Sequence, residues 1–370
     1  MTTKVKNIVL VCFMAIFLLG MAAWCVTKAP TEYSESERRV LAVFPEITAE
    51  SLADTSFMKN FETYTQDQFP LRETFRSIKA LTAMYALGQK DNNDLYYVDG
   101  HLGKLEYPLN QEMLDHAADR FGYIYNTYLN NTDTKLYFSI VPDKNYFLAE
   151  ANGYLHLDYD ALASYMQEKT DYMEYIDIFP LLTIDDYYTT DSHWRQEEIG
   201  HVADHLLGAM GAESTGGTDY TVNELDAPFY GVYHGQSALH VKPDTIRYLT
   251  SDVLEQCIVT LNDSGMPEAG ELYDMEAAHG KDPYEMFTGG SCAIVTVENP
   301  AAKTDRELVV FRDSFAGSLT PLLVEEYAKI TLVDIRYVQS DLLSFFLTFD
   351  NQDVLFLYSA SLLNNSLGMK

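Results

Sequence analysis

The sequence predicts an α/β protein: a mostly parallel sheet flanked by helices, a β-rich insertion, and one N-terminal transmembrane helix. Three observations predict it. The C-terminal stretch alternates strand and helix patterns, and such alternation folds as parallel strands covered on both faces. Lys135–Val141 is rich in β-formers and stops at Pro142, as a core strand does on entering a loop. Ile8–Val26 carries no charge and spans roughly 28 Å at about 1.5 Å per residue, close to the hydrocarbon thickness of a bilayer.

The elements follow in order. Lys4 and Lys6 precede the apolar run, and Glu32, Glu35 and Glu37 follow it. The positive-inside rule then puts residues 1–7 in the cytoplasm, 8–26 in the cell membrane and 27–370 on the extracytoplasmic side. A cleaved signal peptide is the rival reading, with small residues at Met21-Ala22-Ala23, although its apolar core is normally shorter. Residues 27–50 read as a polar linker that includes Glu37-Arg38-Arg39. The remainder, 51–370, reads as one extracytoplasmic domain. Leu52, Phe57, Phe61 and Tyr64, then Ile78, Leu81 and Tyr85, recur at near-helical spacing, and Pro70 divides them into two helices. Leu95–Val98 reads as a short strand, Gln111–Leu129 as an amphipathic helix, and Ala161–Gln167 as a helix capped by Asp160. Tyr175–Phe179 reads as a strand and Gln196–Met210 as a helix. Residues 211–306, with Gly216-Gly217 and short alternating runs, read as an antiparallel insertion. The return to β-α-β gives strands at Glu307–Phe311, Lys329–Val333 and Asp353–Tyr358, with helices at Ser318–Tyr327 and Leu342–Phe349.

Composition narrows the function. Hydrophobic residues make up 47% of the 370, enough for a packed core, and the formal charge is −30. A chain this acidic repels phosphate backbones, which argues against nucleic acid as a partner. Outside the apolar run only Cys257 and Cys292 remain; they can form one bridge or stay as two reduced thiols, and no Cys-x-x-Cys pair exists for a metal.

Two segments can carry chemistry. Glu307–Phe315 runs a strand through a polar turn and delivers Ser314 just before a helix, where backbone N–H groups can stabilise an oxyanion; a plain helix cap explains the serine equally well. In Asp191-Ser192-His193-Trp194 a histidine can act as general base with a carboxylate to orient it; the bland alternative is a surface loop whose aspartate caps a helix. Both segments sit where strand gives way to helix, which is where a nucleophile and its base belong. His201 and His205 are four apart on a helix, but position 202 is Val and the glutamate of a His-Glu-x-x-His site is missing. Arg336, after the strand Lys329–Val333, either reaches an anionic group in the site or simply pairs with Asp334.

Several blocks then match a known pattern in order: Glu37–Ala42 with Phe44-Pro45, Asp67–Arg72, Ile140–Lys144, Tyr187–Trp194, Phe229-Tyr230-Gly231, Gly289-Gly290, Arg312–Phe315 and Asp334–Tyr337. In these the sequence resembles the DHHW-motif proteins of bacterial envelopes, which are similar in turn to the alginate O-acetyltransferases with SGNH-hydrolase-like domains. The second position of the signature is Ser192 here rather than His, which leaves Asp191 and His193 as its working pair. The resemblance implies an SGNH-like fold, Ser314 as nucleophile, His193 as base and Asp191 as orienting acid. It implies that Trp194 packs beneath the motif, that the Ser314 N–H joins an oxyanion hole, and that Arg336 is a supporting residue. The activity implied is O-acyl, most often O-acetyl, transfer or ester hydrolysis on an envelope or secreted polysaccharide. No cofactor is implied, and a membrane acyl-donor protein is an expected partner. The alternative is a catalytically inactive polysaccharide-binding or assembly protein on the same fold.

Overall fold

The uncharged run lies within α1 (Thr3–Thr27), a helix long and apolar enough to cross a membrane. The computed structural model describes residues 3–34, 36–212, 219–263 and 265–370. Glu35 and the Gly216-Gly217 turn signal lie outside the described residues. The chain divides into two compact units, one running to Asn93 and including His234–His240, the other Asp94–Tyr233 with Val241–Lys370.

In the first unit, Tyr33–Ser34 pairs antiparallel with Arg39–Val40. Three helices follow: α2 (Ala49–Ala53), α3 (Ser56–Asp67) and α4 (Arg72–Leu81). Pro70 separates α3 from α4, because it cannot continue the hydrogen-bond ladder. The segment 27–50, a linker by composition, is pinned by side chains at the end of α3. Asp67 accepts two hydrogen bonds from Arg39, at 2.9 and 2.6 Å, and one from the Ala42 N–H at 2.9 Å. Gln68 accepts from the Thr31 N–H and donates to the Thr31 and Ala42 carbonyls. Phe44 then meets Phe57, Phe61 and Tyr64 edge-on.

The second unit is built on an eight-stranded sheet. Its strands are β1 (Lys135–Val141), β2 (Glu174–Tyr175), β3 (Ile258–Leu261), β4 (Glu268–Gly270), β5 (Ile294–Glu298), β6 (Glu307–Arg312), β7 (Lys329–Val333) and β8 (Asp353–Ser359). Across the sheet the order is β4-β3-β5-β7-β6-β8-β1-β2. The five strands from β7 to β2 are mutually parallel. The strands drawn from 211–306 add to the other edge antiparallel. The predicted mostly parallel α/β sheet with flanking helices is thus present.

Successive side chains in a strand point to opposite faces, and both faces here are dry. Leu308, Val310, Leu355 and Leu357 join one core with α8 (Gly200–Ala209), whereas Val309, Phe311, Val354 and Phe356 join another. That second core is closed by α5 (Gln111–Ile124) and α7 (Tyr159–Lys169), the two flanking the short α6 (Lys144–Asn152) in the chain. Two-sided burial explains why these strands read as continuous apolar runs.

Several element ends differ from expectation. The Gln111–Leu129 helix ends as a π turn over Tyr125–Leu129. Asp158, not Asp160, caps α7, because its carboxylate reaches the Ala161 N–H. Only Glu174–Tyr175 pairs as a strand; Asp177 then accepts the Phe179 N–H and starts a 3₁₀ turn at Phe179–Leu181. Gln196–Glu198 is a 3₁₀ turn ahead of α8, and Ser340–Phe345 is 3₁₀ where a helix was expected. The helix after Ser314 is α9 (Phe315–Leu323), starting earlier than Ser318 because the Asp313 carboxylate accepts the Phe315 N–H. Cys257 and Cys292 are free thiols, half-buried and buried, and burial pushes Cys257 up to about 11.

Candidate active site

β6 ends at Arg312, and the chain turns at Asp313 into α9. Asp313 ties the turn down on both sides: one carboxylate oxygen takes the Phe315 N–H and the other takes the Ser359 N–H at the end of β8, 2.8 Å away. Arg312 is fully buried and donates to the carbonyls of Gly290 (2.8 Å) and Cys292 (3.2 Å), which secures the Gly289-Gly290 loop. Both glycines have positive φ, a conformation that L side chains rarely adopt. Ser314 therefore stands at the carboxyl end of a parallel strand and at the N-terminus of a buried helix. Open α/β sheets bind ligands at such strand ends.

The Asp191-Ser192-His193-Trp194 segment is the far side of a tight hairpin. Tyr187 pairs antiparallel with Trp194, the Tyr188 N–H donates to the His193 carbonyl, and the Arg195 N–H donates to the Asp186 carbonyl. The hairpin folds Asp191 back onto His193. Trp194 is completely buried, and its indole N–H donates to the Phe315 carbonyl (3.1 Å) and to Ser318 Oγ (2.9 Å). Gln196 Nε2 reaches the Ser318 carbonyl at 2.8 Å. Three hydrogen bonds from two donors, Trp194 and Gln196, thus lock the segment to α9.

These constraints bring the two halves together. Ser314 Oγ lies 2.7 Å from His193 Nε2, and His193 Nδ1 lies 2.6 Å from Asp191 Oδ1. With a neutral ring, Nδ1–H donates to the carboxylate and leaves Nε2 to accept from the serine hydroxyl. Asp191 is buried and also accepts the His193 N–H on Oδ1 and the Val232 N–H on Oδ2, at 3.1 and 2.8 Å. Ser192 is only at the 3.5 Å margin from Asp191 Oδ1 and His193 Nδ1.

A second ring of residues holds the hairpin, and sequence reasoning gave these no role. Lys144 is buried beside β1 and donates to the carbonyls of Tyr188, Thr189 and Asp191 at 2.7, 2.9 and 3.1 Å. Burial pushes its ammonium down to about 7, against the raising pull of Asp191 and Asp244. Asp244 accepts the N–H groups of Thr189 and Thr190 and the Thr190 hydroxyl. Gly231 lies so close that any Cβ there would collide with the Thr190 carbonyl and Asp191 Cβ. Tyr284 stacks flat on the His193 ring, with centroids 3.8 Å apart and planes 11° apart, and its hydroxyl meets Ser318 Oγ at 2.8 Å. Lys144 and Gly231 sit inside quoted blocks, so proximity to a motif was their only signal. Tyr284 and Asp244 carried none.

Arg336 is held bidentately by Asp334, Nε to Oδ1 at 2.9 Å and Nη2 to Oδ2 at 2.6 Å. Burial lowers its guanidinium and the Asp334 carboxylate more than restores it, so the net direction is upward. The guanidinium is therefore committed to its neighbour two residues back. His201 donates to the Leu181 carbonyl at 2.9 Å on the exposed side of α8, and His205 is exposed on the same helix. No group of three or more His, Cys, Asp or Glu side chains suited to a metal occurs among the described residues.

No protein-family model matches the sequence, and no curated protein matches it. Solved structures do. A DHHW family protein from Eubacterium siraeum is 18% identical, with TM-score 0.60 over 75% of this chain and 95% of that one. PatB1 from Bacillus cereus, solved with a sulfonyl adduct, is 19% identical, with TM-score 0.57 over 73% and 97% of the two chains. A second PatB1 structure from Bacillus cereus is 18% identical, with TM-score 0.59 over 73% and 96%. The structural neighbours thus include a DHHW family protein, the group whose sequence blocks this chain resembles, and what the chain shares with it and with PatB1 is their α/β fold.

Proposed function

We propose that the protein is a membrane-anchored serine O-acyltransferase or esterase, of the O-acetyl type, acting on an envelope or secreted polysaccharide. The continuous hydrogen-bonded line Asp191–His193–Ser314 carries this reading. His193 Nε2 takes the Ser314 hydroxyl proton as Oγ attacks the acyl carbonyl carbon. The Ser314 N–H, at the positive end of α9, faces the developing oxyanion. His193 then returns the proton to the leaving oxygen, and an acyl-serine remains. In the second half-reaction His193 deprotonates a sugar hydroxyl, or water, which attacks the acyl group and frees Ser314. Asp191 holds the imidazole in register and stabilises its charged form. A membrane acyl-donor protein would load Ser314, and α1 would hold residues 27–370 outside the cell at the polysaccharide. The sulfonyl adduct of PatB1 supports the choice of probe, since a nucleophilic serine forms such adducts.

Two measurements test this on the full chain in detergent. Phenylmethylsulfonyl fluoride should add one sulfonyl group at Ser314, located by peptide mass. Turnover of a chromogenic acetyl ester should fall by about 10⁴-fold or more in both Ser314→Ala and His193→Ala. Unlabelled wild-type chain that turns over ester no faster than these variants would leave a non-catalytic polysaccharide-binding protein as the better reading.

A further inference from the structure

The helix α4 is inside out. Leu71, Phe75, Ile78, Leu81 and Tyr85 follow at steps of three or four and so share one helical face. That face is bare: Leu71 is 53% exposed, Ile78 52% and Tyr85 72%. Its two arginines turn inward instead. Arg72 and Arg76 are each only 15% exposed, packed into ion pairs with Glu37 and Glu73. Arg76 also donates to the carbonyls of Gly235 and Gln236. A helix at a protein–water boundary does the opposite and buries its apolar stripe. An exposed apolar stripe of this length marks a contact surface.

Neighbouring features point to a lipid surface as its cover. Thr31 is fixed to Gln68 at the end of α3 by two hydrogen bonds, and α1 ends at Thr27. The free link between the apolar helix and this unit therefore spans at most about 14 Å when extended, comparable with a headgroup layer. Leu71, at the start of the stripe, and Lys28, just past α1, line the same cleft of ≈ 500 Å³. Charge points the same way. Acidic and basic residues balance over residues 1–93, so the whole formal charge of −30 lies on residues 94–370. Only the neutral N-terminal unit can approach an anionic surface without repulsion.

We propose that the exposed face of α4, continued by Tyr85 and Leu87, beds into the outer leaflet of the bilayer that holds α1. The first unit is then an interfacial platform, with Arg72 and Arg76 folded inward and the apolar side chains of α4 in the headgroup–acyl boundary. The inference rests on α1 being an uncleaved anchor, and the experiment separates the two.

Full-length chain is reconstituted into phosphatidylcholine liposomes made with or without brominated acyl chains, which quench nearby tryptophan. Trp24, near the end of α1, reports the anchor, because Trp194 is buried in the second unit. Ile78→Trp and Tyr85→Trp, each in a Trp24→Phe chain, report the platform. Both substitutions are at exposed sites, and an unchanged far-ultraviolet spectrum checks the fold. Quenching of roughly two-fold or more at position 24 and at either platform position is expected. Quenching at 24 with neither platform position quenched overturns the platform and leaves the anchor standing. That outcome, joined by cross-linking between chains or to a second membrane protein, assigns the stripe to a protein partner. No quenching at 24 removes both readings.

Discussion

Tyr284 meets His193 face to face while Asp191 and Ser314 grip its two ring nitrogens. The ring therefore has little freedom to rotate away from Ser314. Tyr284→Phe keeps the stacked face and loses only the Ser318 hydrogen bond. It is expected to keep kcat within a few-fold, whereas Tyr284→Ala is expected to lower kcat by about 10- to 100-fold with KM little changed. Steady-state kinetics on an acetyl ester distinguishes the two; equal losses would mean the face does not matter. Lys144 permits a pH prediction. Its native value is pushed down to about 7, while an exposed lysine titrates near 10.4. Between roughly pH 7 and 10 the unfolded chain thus holds more protons at this site, so the contribution of Lys144 to stability rises with pH. The urea midpoint of the wild type relative to Lys144→Met should climb from pH 7 to pH 9. A difference independent of pH would refute the assignment.

At the scale of elements, the hairpin Tyr187–Trp194 does what neither strand nor helix propensity foretells. Its single antiparallel bridge is too short to leave an alternating pattern, so Asp191 and His193 were legible only as a triplet of weak meaning. Their meeting with Ser314 depends on donors from Trp194 and Gln196 into α9, which are long-range contacts. The long parallel strands were legible because both faces are buried and their central residues are mostly apolar. Element ends were less so: caps such as Asp158 and Asp313 are chosen by side-chain reach, which periodicity does not encode. The close approach at Gly231 gives a sharp expectation. Gly231→Ala must push the hairpin away by several tenths of an ångström, costing about 1–3 kcal/mol of stability. Ester turnover should drop at least about 10²-fold while the far-ultraviolet spectrum is kept. Unchanged turnover would show that the hairpin is not held by that contact.

For the whole molecule, the two units differ in what holds them. The second has two broad hydrophobic cores, whereas the first leans on Asp67, which takes Arg39 and the Ala42 N–H and lies near Arg72. Asp67→Ala leaves the half-buried Ala42 donor and Arg39 without their acceptor and is expected to destabilise the first unit by about 1–3 kcal/mol. Limited proteolysis should then cut faster within residues 28–93 while sulfonyl labelling of Ser314 stays at the wild-type level; faster cutting throughout would show that the units unfold as one. The strand order has a further consequence for how the protein comes into being. β8 lies between β6 and β1 and pairs with both, although it follows β1 by most of the unit. No parallel pairing joins the early part of the sheet to the late part until β8 is inserted. Contacts of such sequence separation fold slowly, after the long loop has closed. The sheet therefore cannot be completed until β8 (Asp353–Ser359) has been made, and the strand that carries Ser314 gains its second parallel neighbour only then.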